Sequence, residues 1–302
     1  MNKSIKTAFA FAGAAGLIAL AGCSTDADAG SDASGLENGD AQDVTIAVFN
    51  GWPEGEAVSH LWAAVLEEEG YNVELEYADV AAGFVGLSSG DYDLNMDVWL
   101  PGTHAEYLEE YGDDIVDVGT WNTDATLSVA VNEDAPIDSL AELADNGDLF
   151  GNRIIGIEPG AGLTKITQEN VMPTYNLDAF ELTTSSTAAM LAELTAATDA
   201  GENIAVTLWH PHWAYDAFPI KDLADPEGAL GDAEGLHTFS RTGFGEDYPT
   251  LNGWLEDFEM ETAPLDSLQN EMFGSGADAS EYEEIVQTWI GENQEWVDGL
   301  TS

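Results

Sequence analysis

The chain is nearly devoid of positive charge. Six Lys and Arg stand against 58 Asp and Glu in 302 residues, a formal net charge of −52. Such a surface repels nucleic acid and anionic membrane faces, so neither is an expected partner. It suits a protein kept soluble in high salt, where screening at about 1 M reaches only about 3 Å and mutes self-repulsion. Cysteine is almost absent as well. The single one, Cys23, excludes an internal disulfide and leaves the rest of the chain without a thiol nucleophile. There is no G-x-S-x-G elbow, no D-x-D-x-D-G calcium loop and no G-x-x-x-x-G-K-[ST] phosphate loop. The apolar run from Ala8 to Ala21 is too short for an ordinary membrane span. What the chain does have is a full complement of core material: 44% hydrophobic residues, with 9 Trp, 9 Tyr and 11 Phe. A charge balance that would otherwise suggest disorder is thereby assigned to the solvated surface of a folded body.

The amino terminus carries Lys3 and Lys6, then the short apolar run, then Leu20-Ala21-Gly22-Cys23. A basic start, a short apolar centre and small residues before a cleavage point make an export signal. With Cys23 next to the cut, residues 1–22 resemble a bacterial lipoprotein signal peptide, and Cys23 is the expected lipidation site and membrane anchor. Residues 23–42 are rich in Asp, Ala, Ser and Gly and read as a flexible acidic tether. The organisation implied is an extracytoplasmic body on a lipid anchor.

The folded part opens near Asp43. Strand, helix, strand, helix, strand is the order read from Val44–Phe49, Glu56–Gly70, Asn72–Tyr77, Val80–Gly90 and Leu94–Val98. This is the rhythm of a parallel α/β sheet. A short connecting strand is expected at 113–118, a strand at 125–131 and a helix over 137–143. The same order then repeats, with strand 153–157, a helix over 163–172, a strand within AFELTTS, a helix over 187–198 and strand 203–208, which indicates a second lobe. Residues 215–250 read as loop, and helices return over 252–258, 265–273 and 280–296, where Trp289 and Trp296 pack on the body.

Three features carry chemistry. Trp52, Trp99 and Trp209 each stand at or just past the end of an expected strand, the edge where open α/β sheets bind ligands. Indole faces are the best side-chain partners for a cation, contributing about 0.5–2 kcal/mol each, and a cage of them needs no carboxylate to hold a methylated ammonium. Glu158-Pro159-Gly160-Ala161-Gly162 precedes a helix whose first N–H groups, at Gly162 and Leu163, are free to meet an anion. His104, five residues beyond Trp99, is a further donor. Each has a plain structural reading too: core tryptophans, a β-to-α turn and a surface histidine at a helix start. Together they suit a zwitterion with a methylated ammonium and a short carboxylate. His60, His104, His210 and His212 do not share a metal-binding spacing, so no metal or cofactor is expected.

In this order, GWPE…HLW, DVWLPGTHAEY, GIEPGAGL and LWHPHW resemble the glycine betaine-binding proteins of the OpuAC type, substrate-binding components of ABC importers, across residues 43–300. The resemblance implies an α/β, two-lobed, type II periplasmic-binding-protein-like fold that closes over a ligand. Lobe 1 would comprise 43–125 and 236–302, and lobe 2 would comprise 126–235. Three tryptophans, Trp52, Trp99 and Trp209, would surround the trimethylammonium, while the amides of Gly162 and Leu163 and the ring of His104 take the carboxylate. The implied partners are glycine betaine or a related betaine and an ABC permease, the role is osmoprotection, and no catalysis is expected. A choline-, carnitine- or carbohydrate-binding lipoprotein is the alternative.

Overall fold

A computed structural model of the chain describes residues 41–302. The expected signal peptide, Cys23 and all of the tether but Ala41 and Gln42 lie outside the described residues. The first half of the fold grows from β1 (Asp43–Phe49), α1 (Pro53–Glu68), β2 (Asn72–Ala78), α2 (Val80–Ser89) and β3 (Leu94–Leu100). β1 lies between β2 and β3, parallel to both. Pro53 at the first position of α1 has no N–H to leave unpaired, and acidic residues stand in the first turn at Glu54 and Glu56. The helix buries Val58, Leu61, Trp62, Val65 and Leu66 at helical spacing. α2 stops at Gly90, whose φ of +79° is the left-handed cap that glycine adopts at little cost. β3 is buried along almost its whole length, as befits a central strand.

After α3 (Ala105–Tyr111) the chain forms one long strand, β4 (Ile115–Asn132). The sequence reading divides this stretch into two strands. The structure joins them through register shifts against its neighbour at Asp117/Gly119, Thr120/Asn122 and Asn122/Ala125, which bend the strand without ending it. The helix expected over 137–143 is reduced to a short 3₁₀ turn, Leu140–Glu142, followed by a second over Ala144–Phe150 that kinks at Asn146. Pro136, Asp145, Asn146 and Gly147 favour turns over a continuous helix.

The second half comprises β5 (Arg153–Ile155), α4 (Gly162–Ile166, continued by a wider turn to Thr174), β6 (Glu181–Thr183), α5 (Thr187–Ala200), β7 (Ala205–His210) and β8 (Ile220–Asp222). Ser186 caps α5 by accepting from the Ala189 N–H, and Gly201 ends it at φ +66°. β5 runs parallel to β6 and β7.

β9 (Glu234–Arg241) corrects the expectation of a loop over 215–250 and of a parallel sheet. It lies antiparallel between β3 and β4, so the sheet is mixed, in the order β2-β1-β3-β9-β4-β7-β5-β6 with β8 on β4. Its inward positions include Glu234, Thr238 and Ser240, polar residues that hide a strand's apolar alternation. The pairing of β4 changes at Ala125/Thr126: residues to Ala125 face β9, and residues from Thr126 face β7. The closing helices α6 (Pro249–Glu256), α7 (Thr262–Gln269) and α8 (Tyr282–Glu292) return to the first half, where α7 and α8 pack on α1. Trp62, fully buried, meets Phe258 edge-on at 5.2 Å, and Trp289 is buried with Trp296 packed against it. No helix among the described residues is long and apolar enough to cross a membrane.

Candidate functional site

Trp52 follows β1 in extended conformation at the start of α1, Trp99 is the penultimate residue of β3, and Trp209 the penultimate residue of β7. They come from distant parts of the chain, yet all three line one cavity and are only 6%, 3% and 3% exposed. Gly162 and Leu163, at the first turn of α4, line the same cavity, as do Glu54 and Thr103; Leu127, Ile157 and Ala161 make its apolar wall. In α-helix geometry the N–H groups of Gly162 and Leu163 have no acceptor within the helix. Thr164 closes the preceding turn by donating its hydroxyl to the Glu158 carbonyl at 2.8 Å.

Every one of the three indole N–H groups donates to a carboxylate. Trp99 Nε1 reaches Asp97 Oδ1 at 2.9 Å, Trp209 Nε1 reaches Glu54 Oε2 at 2.9 Å, and Trp52 Nε1 reaches Glu158 Oε2 at 3.4 Å. Two of these bonds are reciprocal ties between the halves of the sheet. Trp52, beside β1, bonds to Glu158 beyond β5, and Trp209, on β7, bonds to Glu54 on α1. Glu158 also accepts from the backbone N–H and the hydroxyl of Thr187, at 2.7 and 3.0 Å, at the start of α5. Burial pushes Glu54 up to about 7 against the lowering pull of the Trp209 hydrogen bond. Asp97 is raised well above the ordinary carboxylate range by burial and, next, by the neighbouring charge of Glu54.

His104 is not a surface histidine: it is fully buried and lies outside the residues lining the cavity. Its ring stacks on Trp52 with centroids 5.6 Å apart and planes 11° apart, and meets Phe49 and Phe84 edge-on. Nδ1 accepts from the Trp99 backbone N–H at 2.9 Å. Burial lowers the ring to about 3, so it is neutral near pH 7. The proton then sits on Nε2, a buried donor with no protein acceptor among the described residues.

The loop that carries Thr103 is held by Glu234 of β9. Its carboxylate accepts from the N–H of Gly102 at 2.7 Å, from the N–H of Thr103 at 2.9 Å, and from the Thr103 hydroxyl. At the rim, Tyr107 donates its hydroxyl to the Gly160 carbonyl at 3.0 Å, and Lys165 pairs with Glu106 at 2.6 Å. The other histidines go elsewhere. His212 packs edge-on against Trp209 at 4.7 Å, His210 pairs with Asp222, and His60 bonds to Tyr77. Among the described residues no group of His, Cys, Asp and Glu is arranged to hold a metal ion.

A family profile described as the substrate binding domain of ABC-type glycine betaine transport system, OpuAC, matches residues 42–292. The chain belongs to this family. It is 35% identical over 181 residues to the glycine betaine/carnitine transport binding protein GbuC of Listeria monocytogenes, and the match spans 58% of each protein's length. Among solved structures, it is similar to lactococcal OpuAC in its closed-liganded conformation complexed with glycine betaine, at 27% identity and a TM-score of 0.80, covering 86% of this chain and 100% of that one. It is also similar to the glycine/betaine/L-proline-binding protein ProX of Borrelia burgdorferi, at 29% identity and a TM-score of 0.78, covering 84% and 95%. The fold is that of the two-lobed type II solute-binding proteins, and the family is one of transport proteins rather than enzymes.

Against that fold, sequence reasoning misses the carboxylates. It treats an aromatic cage as needing none, whereas Glu54, Asp97 and Glu158 hold all three indole edges. One signal was available. In a strand, residues two apart face the same side, so Asp97 two before Trp99 in β3 was positioned to meet it. Glu54 and Glu158 had no comparable signal, because their indole partners lie 155 and 106 positions away.

Proposed function

We propose that this protein is the extracytoplasmic capturing component of an ABC importer for glycine betaine or a closely related quaternary-ammonium solute, serving osmoprotection. The observation that carries the reading is the meeting of Trp52, Trp99 and Trp209 around one cavity whose other wall is the amide-bearing start of α4. A trimethylammonium has no N–H to donate, and indole surfaces attract it electrostatically at about 0.5–2 kcal/mol each. The ligand's carboxylate is assigned to the Gly162 and Leu163 amides and to His104. The Nε2 proton of His104 supports its assignment, being a buried donor that lacks a protein acceptor. The similarity to lactococcal OpuAC complexed with glycine betaine supports the same ligand.

The lobes are taken as 43–125 with 236–302, and 126–235, because β4 changes partners at Ala125/Thr126. Closing them brings Trp209 to Trp52 and Trp99 and forms the two reciprocal indole–carboxylate ties. Residues 1–22 direct export, Cys23 carries the lipid that anchors the protein to the cell membrane, and an ABC permease receives the ligand. Titration of the purified protein in high salt, followed by tryptophan fluorescence, tests the reading. A saturable change with glycine betaine, weaker with choline and absent with sugars, is expected. A response to choline alone would discard the carboxylate assignment, and no response to any ammonium compound would discard the cage.

A further inference from the structure

Glu54 and Asp97 form a buried acidic pair, and the side-chain donors that bond to it among the described residues are neutral. Each is 1% exposed. Gly55, in the first turn of α1, lies so close to Asp97 that a β-carbon added there would stand 2.5 Å from Oδ2, so the helix backbone closes over the carboxylate. Asp97 Oδ2 has no protein hydrogen-bond partner among the described residues. The donors that reach the pair are the indoles of Trp99 and Trp209. His212 packs against the Trp209 indole, and His104 accepts from the Trp99 backbone N–H and stacks on Trp52; both are buried and held neutral. Beyond Trp52 is the carboxyl group of Glu158, and Glu56 of the same helix turn is engaged by the Tyr77 hydroxyl.

No basic side chain among the described residues is paired with either carboxylate. The described residues contain four: Arg153 pairs with Glu193, Lys165 with Glu106, Lys221 with Asp138, and Arg241 with Asp93 and Asp247. Two ionised carboxylates buried together without a paired cation are strongly disfavoured, and the ordinary resolution is retention of a proton. The upward displacement of both groups agrees with this.

Glu54 lines the cavity in which the proposed function seats the ligand's positive end. We propose that Glu54 and Asp97 share one proton until a quaternary ammonium enters and then release it, so that the ligand's fixed charge takes over the proton's neutralising role. This inference rests on the proposed function. In the step, one carboxyl O–H bond breaks, the proton passes to the solvent buffer, and the resulting carboxylate faces the ligand cation. The pair thereby becomes a specificity element: it favours a permanent cation over a neutral molecule of the same shape. Affinity rises with pH through the range in which the pair titrates, because less proton has to be displaced.

Calorimetric titration of the purified protein with glycine betaine at pH 7, in phosphate and in Tris, tests this directly. The dependence of the observed heat on the buffer's ionisation enthalpy counts the protons exchanged. The expected result is net proton release on binding, at most about one per ligand because the pair holds one proton to give up. Glu54→Gln is expected to remove most of that release, and Asp97→Asn serves as the second variant should the first fail to fold. A saturable heat that is independent of buffer, or proton uptake, would overturn the inference and leave the function standing. Undiminished release in both variants would also overturn it. No saturable heat with glycine betaine or choline would overturn the function and the inference together.

Discussion

Gly162 faces the backbone carbonyl of Thr103 so closely that a β-carbon at position 162 would overlap it. Gly162 begins α4 in the second half of the fold, and Thr103 stands in the loop after β3 in the first. Glycine at 162 is therefore required by the approach of two backbones, not by its dihedral angles. Gly162→Ala is expected to hold the halves apart and weaken glycine betaine binding at least tenfold, about 1.4 kcal/mol or more. Because the clash exists only when the two backbones meet, thermal unfolding of the ligand-free protein should change little. Calorimetry paired with a melting curve separates the two effects.

Trp99 is tied at both ends, its backbone N–H to His104 and its indole N–H to Asp97. Its rotamer is thus fixed before any ligand arrives. Trp99→Ala is expected to weaken binding by more than about 1 kcal/mol, the scale of one desolvated cation–π contact. Trp99→Phe, which retains a ring but not the donor to Asp97, should fall between. Equal affinities for wild type and Trp99→Ala, measured by fluorescence of the remaining tryptophans, would remove Trp99 from the cage.

The parts of the fold that rest on local pattern were legible in the sequence. β1, α1, β2, α2 and β3 follow directly from apolar periodicity, and the tryptophans were conspicuous because each ends an apolar strand. The parts that rest on distant partners were not. β9 escapes the apolar pattern because Glu234, Thr238 and Ser240 occupy its inward positions, and a buried Glu234 makes sense only with the loop at Gly102–Thr103 that needs an acceptor. His104 read as a helix-start residue next to polar neighbours, and only its packing among Phe49, Trp52 and Phe84 reveals its burial. The carboxylates at the indole edges were lost among 58 acidic residues, where no single one stands out by composition.

Glu234 is a buried carboxylate whose role is to fix that loop. It accepts charge-assisted hydrogen bonds from two backbone N–H groups and one hydroxyl. Glu234→Gln keeps the shape but replaces one acceptor oxygen by a donor. A loss of about 1–3 kcal/mol in urea unfolding is expected, the cost of leaving a buried donor unpaired. Binding should weaken as well, since Thr103 lines the cavity. Glu234→Ala should do both more severely.

His212 provides a pH test of the packing behind Trp209. It is 3% exposed, its Nδ1 accepts from the Ala214 N–H at 3.0 Å, and burial, with the nearby His210 as a lesser cause, lowers it to about 3. The unfolded chain takes up a proton on this ring below about 6.5, and the folded chain only below about 3. Between those values the unfolded state holds the additional proton, so the contribution of His212 to stability is complete above 6.5 and is lost as pH falls toward 3. The slope is at most about 1.4 kcal/mol per pH unit. His212→Asn retains an acceptor for Ala214 but does not titrate. It should be less stable than wild type at pH 7, through lost packing against Trp209, yet lose stability less steeply on acidification. Glu54 and Asp97, raised where His212 is lowered, contribute with the opposite sign and are common to both proteins, so they cancel in the difference. Parallel urea-unfolding curves at intervals from pH 7 to pH 4 provide the measurement, and identical slopes for the two proteins would show that the ring is protonated in the folded state.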